Sequence, residues 1–570
     1  MKKRAQAMIM AALMIAALAT SCSQPAQEGA SSAAGEASGD SSTASQAVET
    51  PEDPMAPYEE TVVIRVGSVI DANTVFPEGE TAEDNRYTQL IKEKLNIEFE
   101  TMWQVGSSAD FNQKINLSIA SNDLPDATVV NKVQFRTMAR SQQLEELGPV
   151  IDAYASDAMK AFFDTTDGDA IAAATYDGKV QGLPNVQADA DGYHLLWIRK
   201  DWLDELGLDV PQTVQDVYDV AKAFVDNDMS GTGNTIGLSG PQSGGALYAT
   251  FLASSNNVYG FDPIFSAMGS YPGYWIEKDG AVTYGSIEPE TKEALEFLQK
   301  MYKDGLIDPE MSVRANSEET VVSGQSGMFF GPWWMGYSPI PDAIRNDPEA
   351  DWQAYAVPLN EEGEWTPHVS ATTGQFTVVR KGYEHPEAIV KLANLAIVSE
   401  PVMDTATLSF DFWPLRNVQN TKDEVQVTNQ ILVDYLNGET TEADIEDKFT
   451  IYPGLKTDIE TVKEAKLEPY DDMSIEYWDV EHTNFPRLFS MLVGASPLNT
   501  VSSENAVKSV VYEQTDLMQK KWSTLEKLED ETFLKIITGA EDISAFDDFV
   551  AQWKQQGGDE ILAELAEVTE

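Results

Sequence analysis

The chain has 570 residues and a formal charge of −56, from 94 acidic against 38 basic side chains. Such a charge is repelled by phosphate backbones and argues against a nucleic-acid partner. Hydrophobic residues make up 42%, enough for two or more lobes with their own cores. Cys22 is the only cysteine, so no internal disulfide supports the fold and thiol redox chemistry is excluded.

Lys2, Lys3 and Arg4 precede an apolar run from Ala7 to Ala19, followed by Thr20-Ser21-Cys22. A basic start, a short apolar run and small residues at a cleavage point predict an export signal over residues 1–22. The run is shorter than the roughly 18–20 residues needed to cross a bilayer. Its end resembles a lipobox, with Ala19 where Leu or Val is usual. That resemblance implies lipidation of Cys22 and membrane attachment on the extracellular face, of the Gram-positive type. Residues 23–58 are rich in Ser, Ala, Gly and Glu and nearly free of large apolar side chains, which predicts a disordered tether.

The folded body is predicted to begin with a strand at Thr61–Gly67, by its β-branched run. A helix over Glu83–Leu95 follows, with Tyr87, Leu90, Ile91 and Leu95 on one face. Asn96–Glu100 alternates as a strand, Phe111–Ala120 reads as a helix and Ala127–Val130 as a third strand. Later come a strand at Leu195–Ile198 and helices at Val214–Val225, Thr291–Tyr302 and Pro386–Ile397. From about Thr421 the chain reads as mostly helical. Alternating strands and helices predict an α/β body with mostly parallel sheets flanked by helices.

Asp226-Asn227-Asp228-Met229-Ser230-Gly231-Thr232-Gly233-Asn234 places oxygen side chains at every second position and Gly at the sixth. Asp226, Asp228, Ser230, Thr232 and Asn234 thus have the spacing of a calcium loop. Gly237 stands where such a loop carries its bidentate Glu. The same composition equally makes a turn after a helix without metal.

Signals for catalysis are absent. The four histidines, His194, His368, His385 and His482, are not at metal-ligand spacing, and no H-E-x-x-H, G-x-S-x-G or phosphate loop occurs. No catalytic residue or organic cofactor is predicted. A carboxylate pair for glycoside cleavage stays open, because 94 acidic residues supply pairs by chance.

Several segments in fixed order resemble the extracellular solute-binding proteins of sugar ABC importers. They are Ser121-Asn122-Asp123-Leu124-Pro125-Asp126; Tyr176-Asp177-Gly178-Lys179-Val180-Gln181-Gly182-Leu183-Pro184; and Trp197-Ile198-Arg199-Lys200-Asp201-Trp202-Leu203, with Pro211 and Thr213 beyond. Ser323-Gly324-Gln325-Ser326-Gly327-Met328-Phe329-Phe330-Gly331-Pro332-Trp333-Trp334 is similar to the segment that sets an aromatic over a bound sugar. The tail from Ile537 through Trp553 to Ile561 resembles the large lipoprotein branch found in Firmicutes.

The resemblance implies a two-lobed, type II periplasmic-binding-protein-like α/β fold with a hinge of crossing strands and a helical C-terminal extension. The first lobe would span residues 59–194, completed by about 369–420. The second would span 195–368, completed by about 421–570. It further implies a monomeric receptor that captures a carbohydrate, an oligosaccharide, in the interlobe cleft and presents it to the membrane permease. Some relatives hold structural calcium in an Asp/Asn-rich loop at the corresponding place.

A sugar site wants flat aromatic platforms for C–H faces and polar groups for hydroxyls. The 12 Trp and 20 Tyr supply platforms. Trp333 and Trp334 are the first candidates, from the matching segment. Asp126, at a strand entry, is a candidate acceptor of sugar hydroxyls and equally a turn or capping residue. Trp197 and Arg199 alternate on one strand and share a face, toward either cleft or core. Gln375, Trp413, Trp275 and Trp103 complete the candidates. Three rival readings stay open: a peptide-binding receptor, a surface polysaccharide-degrading enzyme and an adhesion lipoprotein.

Overall fold

The computed structural model describes residues 50–569, apart from 71–73, 253–257, 404–406, 466–478 and 503. The export signal, Cys22 and most of the predicted tether lie outside the described residues.

Val62–Val69 forms a strand that buries Val62, Ile64 and Val66 on one face. It pairs in parallel with Ile97–Val105. The connecting helix Arg86–Leu95 is set by local chemistry at both ends. Asn85 caps it by accepting from the Tyr87 and Thr88 amides, and Thr88 returns the bond to the Asn85 amide. Asn96 ends it in the left-handed conformation (φ 56°).

Helix Ser108–Ser121 leads to strand Ala127–Asn131. That strand joins a three-stranded sheet whose central member, Gln375–Val379, arrives from far along the chain. Leu183–Pro184 flanks it on the other side, and both pairings are antiparallel.

A second three-stranded sheet centres on Leu195–Arg199, buried at every residue. It lies between Met328–Gly331 and Trp352–Tyr355, again antiparallel. Helices Val214–Asp226 and Pro289–Lys303 and the C-terminal helices Met518–Ile537, Ala545–Trp553 and Asp559–Thr569 pack around it. Tyr284, Trp522 and Trp553 crowd about a fully buried Trp275.

The body is α/β and two-lobed. Cores built on Ile64, Tyr87, Ile97, Phe135, Phe376 and Leu392 make one lobe. Cores built on Trp197, Phe224, Leu298, Phe489 and Trp522 make the other. The expectation of mostly parallel sheets is corrected. Among the described strands Val62–Val69 with Ile97–Val105 and His368–Val369 with Val507–Lys508 pair in parallel and the other strand pairs are antiparallel, with parallel single bridges at Val186–Gln419, Ile236–Ser326 and Leu238–Ile307. The central strands enter from remote chain segments, so their direction is not bound by the crossover rule that makes βαβ pairs parallel.

The tether expectation is corrected at its end. Met55 and Tyr58 pack on the first-lobe core. Tyr58 donates to Glu387 at 2.8 Å, and Lys391 Nζ donates to the Ala56 carbonyl at 2.6 Å and lies over the Tyr58 ring. Burial of an aromatic fixes a segment whose composition alone reads as loose. No helix among the described residues is long and apolar enough to cross a membrane.

One buried carboxyl yields a test of the second-lobe core. Glu529 accepts hydrogen bonds from Tyr248 and Ser286, each at 2.6 Å, and burial pushes its carboxyl up to about 7. A raised carboxyl stabilises the fold fully below the unfolded carboxylate value, and that contribution is lost as pH rises through 7. We expect Glu529→Gln to remove this loss and to exceed the natural protein in stability at pH 8 by on the order of 2 kcal/mol. Urea unfolding at pH 5 and pH 8 measures it; an unchanged pH slope in the variant would contradict the assignment.

Candidate functional site

A cleft of about 1160 Å³ opens between the two lobes. Its first-lobe rim is the end of the first strand (Gly67 to Ile70), Thr101, Thr128, Val129 and Gln375. Gln187, Asp191 and Val418–Thr421 form the crossing wall. Trp333, Trp334, Tyr337 and Arg487 face them from the second lobe. The volume exceeds the roughly 300–1,000 Å³ typical of small-molecule sites, so an extended ligand fits better than a single small ring.

Three segments cross between lobes, and side-chain amides tie them together. Asn185 Oδ1 accepts from the Gly374 and Gln375 amides, each at 2.9 Å, and its carbonyl accepts from Thr373 Oγ1. Asn417 Nδ2 donates to the Leu183 carbonyl and Gln419 Nε2 to that of Pro184, each at 2.8 Å. The Val186 amide donates to the Val418 carbonyl at 3.0 Å. Gln375 thereby has a fixed backbone and lines the cleft.

Trp333 is the most firmly held aromatic. Strand Met328–Gly331 ends at Gly331, and Pro332 starts a tight 3-10 turn over Trp333–Gly336. The indole N–H of Trp333 donates to Asp191 Oδ1 at 2.8 Å. From below, the indole N–H of Trp197 donates to the Pro332 carbonyl at 3.1 Å. Trp334 lines the cleft beside it. On the opposite side Trp413 stacks on Phe410 (centroids 5.0 Å apart) and, only 2% exposed, is packed into the first-lobe core at the edge of the cleft. Burial pushes the Asp191 carboxyl up to about 7, against the pull of the Trp333 bond.

The candidates therefore divide. Trp333, Trp334, Gln375 and Trp413 come together around one cleft. The others do not line it. Trp197 is fully buried and stacked between Phe329 and Phe489, so it supports the turn that carries Trp333. Arg199 is buried against Asp201 and Asp347 and lies over Trp202. Trp275 is core. Trp103 packs on Phe111 and over Gly67, where a Cβ would lie 2.3 Å from its ring.

Asp126 is also corrected, from ligand acceptor to structural pin. Its carboxylate takes Arg65 Nε and Nη2 at 3.1 and 3.0 Å, the Arg65 amide at 2.8 Å and Arg380 Nε at 2.7 Å. It clamps three strands of the first lobe below the cleft. Burial pushes its carboxyl upward, but the hydrogen bonds from Arg65 and then Arg380 outweigh that and hold it below the usual range.

Residues that the sequence reading missed carry the charge of the site. Arg416 pairs with Glu400 at 2.7 Å and Asp411 at 3.0 Å. Arg487 binds Asp458 at 2.7 Å and Glu424 at 3.2 Å. Gly454 leaves room for the Arg487 guanidinium, since a Cβ there would lie 2.3 Å from it. Arg416 follows Trp413-Pro414-Leu415 closely and was findable from the aromatic candidate. Asp191 and Arg487 lie in segments with no local signal.

The candidate calcium loop lies outside the cleft. Asp226 is paired with Lys222 at 2.7 Å. Asp228 accepts from the Gly233 amide and from Thr235 Oγ1, and Ser230 bonds Thr232 and Thr235. At the twelfth position, a Cβ on Gly237 would meet the carbonyls of Ala221 and Leu306 at 2.9 Å, so no carboxylate fits there. Among the described residues no three His, Cys, Asp or Glu side chains form a metal-binding group. The oxygens of Asp228, Ser230 and Thr232 are engaged in hydrogen bonds within the loop.

The model for bacterial extracellular solute-binding proteins matches residues 79–401. The chain belongs to that family. Among its relatives, Lipoprotein LipO of Bacillus subtilis is 24% identical over 82% of this chain and 85% of its own length. The fructooligosaccharide ABC transporter substrate-binding protein FusA of Streptococcus pneumoniae is 28% identical over 35% of this chain and 38% of its own. The crystal structure of the alginate-binding protein AlgQ2 without calcium ion shares the fold, with TM-score 0.58 and 16% identity over 90% of this chain and 98% of its own. In this extracellular solute-binding protein the cleft between lobes is therefore the place to seek the solute.

The pin at Asp126 makes a prediction opposite to that of a ligand contact. A depressed carboxyl stabilises above the unfolded value, and the contribution is lost as pH falls through the folded value. Asp126→Asn should cost about 2 kcal/mol of stability at neutral pH, with the cost shrinking toward pH 3 and no change in which solute binds. Urea unfolding at pH 7 and pH 3 tests it; undiminished stability with lost solute binding would restore Asp126 to the site.

Proposed function

We propose that the chain is the solute-capturing subunit of a carbohydrate importer and takes an oligosaccharide into the interlobe cleft. The observation that carries this is the cleft lining itself: Trp333 and Trp334 beside the amides of Gln187, Gln375 and Asn420 and the hydroxyls of Thr101 and Thr128. Indole faces suit the C–H faces of sugar rings, and amides and hydroxyls suit sugar hydroxyls. The relationship to a fructooligosaccharide-binding transporter subunit in Streptococcus pneumoniae supports the same class of solute.

Capture works by closure of the lobes about the amide-tied crossings. Solute shifts the open–closed balance only through the extra contacts it makes when both walls touch it. Trp333, fixed by Asp191 and the Pro332 turn, needs little reordering on binding, which favours affinity. The closed body is then the form that a membrane permease recognises. Lipidation of Cys22 would hold it at the outer face of the membrane, in keeping with a lipoprotein among its relatives. The reading is of binding without turnover.

Thermal-shift measurements on the purified full-length chain, with oligosaccharides of several sugars and with di- and tripeptides, test the proposal. A cognate glycan at 100 times its dissociation constant adds about 2.7 kcal/mol and raises the melting point. Trp334→Ala should weaken that glycan by roughly tenfold or more. A shift with peptides alone would favour a peptide receptor, and glycan cleavage would make the protein an enzyme.

A further inference from the structure

We propose that the solute is an uncharged glycan and that the cleft rejects uronic-acid chains, an inference that rests on the carbohydrate reading above. Among the described residues the cleft is lined by three cations, Arg345, Arg416 and Arg487, and by no lysine or histidine. Seven carboxylate side chains line the same cleft.

Each arginine already faces two carboxylates. Arg416 holds Glu400 with Nη2 and Asp411 with Nη1. Arg487 holds both oxygens of Asp458 and one of Glu424. Arg345 reaches Asp342 at 2.6 Å and Glu481 at 3.3 Å. Recognition of a carboxylate wants a guanidinium fork with two open N–H groups. Here the terminal nitrogens are turned to the protein's own acids, the buried Arg416 Nε lacking a partner, and each group carries net negative charge.

A uronate entering such a site meets like charge, and finds each guanidinium already facing two acids of the protein. That is specificity by an unfavourable element against the wrong ligand. The carboxylates in these pairs are equally unavailable to a cationic ligand, since each is turned to an arginine. Beside these pairs the cleft lining holds indole, amide and hydroxyl groups and the carboxyls of Glu83, Asp191 and Glu318, none of which offers a cation to a uronate.

The test is titration calorimetry of the full-length chain with two sets of oligosaccharides matched in length. One set is neutral, built from fructose, glucose, xylose, galactose or mannose. The other comprises oligogalacturonates and oligomannuronates. The expected result is a neutral ligand that binds at least a hundredfold more tightly than any uronate. The double variant Glu400→Gln with Asp411→Asn frees the fork of Arg416 at two exposed positions, so folding is not at stake. It should gain tenfold or more for oligogalacturonate, with its melting point showing the body intact.

Uronates that bind the natural protein as tightly as neutral glycans overturn the inference and leave the carbohydrate reading standing. A double variant without gain overturns the claim that internal pairing excludes them. Silence with every glycan, or binding of a basic peptide instead, overturns the carbohydrate reading and this inference with it.

Discussion

The arrangement depends on how three separate chain segments pass between two lobes. They are bound to one another by backbone hydrogen bonds, such as the Asn185 amide to the Gln375 carbonyl and the Asn420 amide to the Val186 carbonyl, and by the side-chain amides of Asn185, Asn417 and Gln419. A long hydrogen-bonded ladder across the same place would make a stiff wall. Here the bonded stretch is short: a few backbone and side-chain amide bonds at the crossing hold the register, and the lobes can turn about it. The cleft exists because that join is narrow, and its walls move as bodies because each lobe has its own packed core.

Support for the solute-facing residues comes from below. Trp197 never reaches the cleft, but its indole N–H fixes the carbonyl that precedes Trp333. Asp191 fixes the far end of the same indole. On the first lobe Asp126 gathers Arg65 and Arg380 beneath the strand ends that form the rim. A platform aromatic is useful only if its orientation is settled before solute arrives, and these buried bonds settle it.

Local chemistry made much of this legible in the sequence. Helix Arg86–Leu95 follows from its Asn85 cap and apolar spacing. Trp333 and Trp334 were found because a Gly-Pro turn precedes them in a segment similar to known relatives. What failed was direction and depth. Trp197 and Arg199 do share a strand, yet every residue of that strand is buried, so alternation did not distinguish core from cleft. Asp126 looked like a solvent-facing acceptor because its two arginines stand 61 and 254 residues away. Arg487 and Asp458 likewise meet only through the fold, and no period or motif announces such a pair. Sheet direction was misjudged for the same reason: Gln375–Val379 returns from the other lobe, which a strand–helix alternation does not reveal.

The docking of Tyr58 against Glu387 and Lys391 has a mechanical consequence. The polypeptide enters the folded body on the first lobe. With Cys22 as the proposed point of attachment, any pull along the tether would act on that lobe, and the second lobe, with its tryptophan turn and its C-terminal helices, would hang from it through the crossings alone.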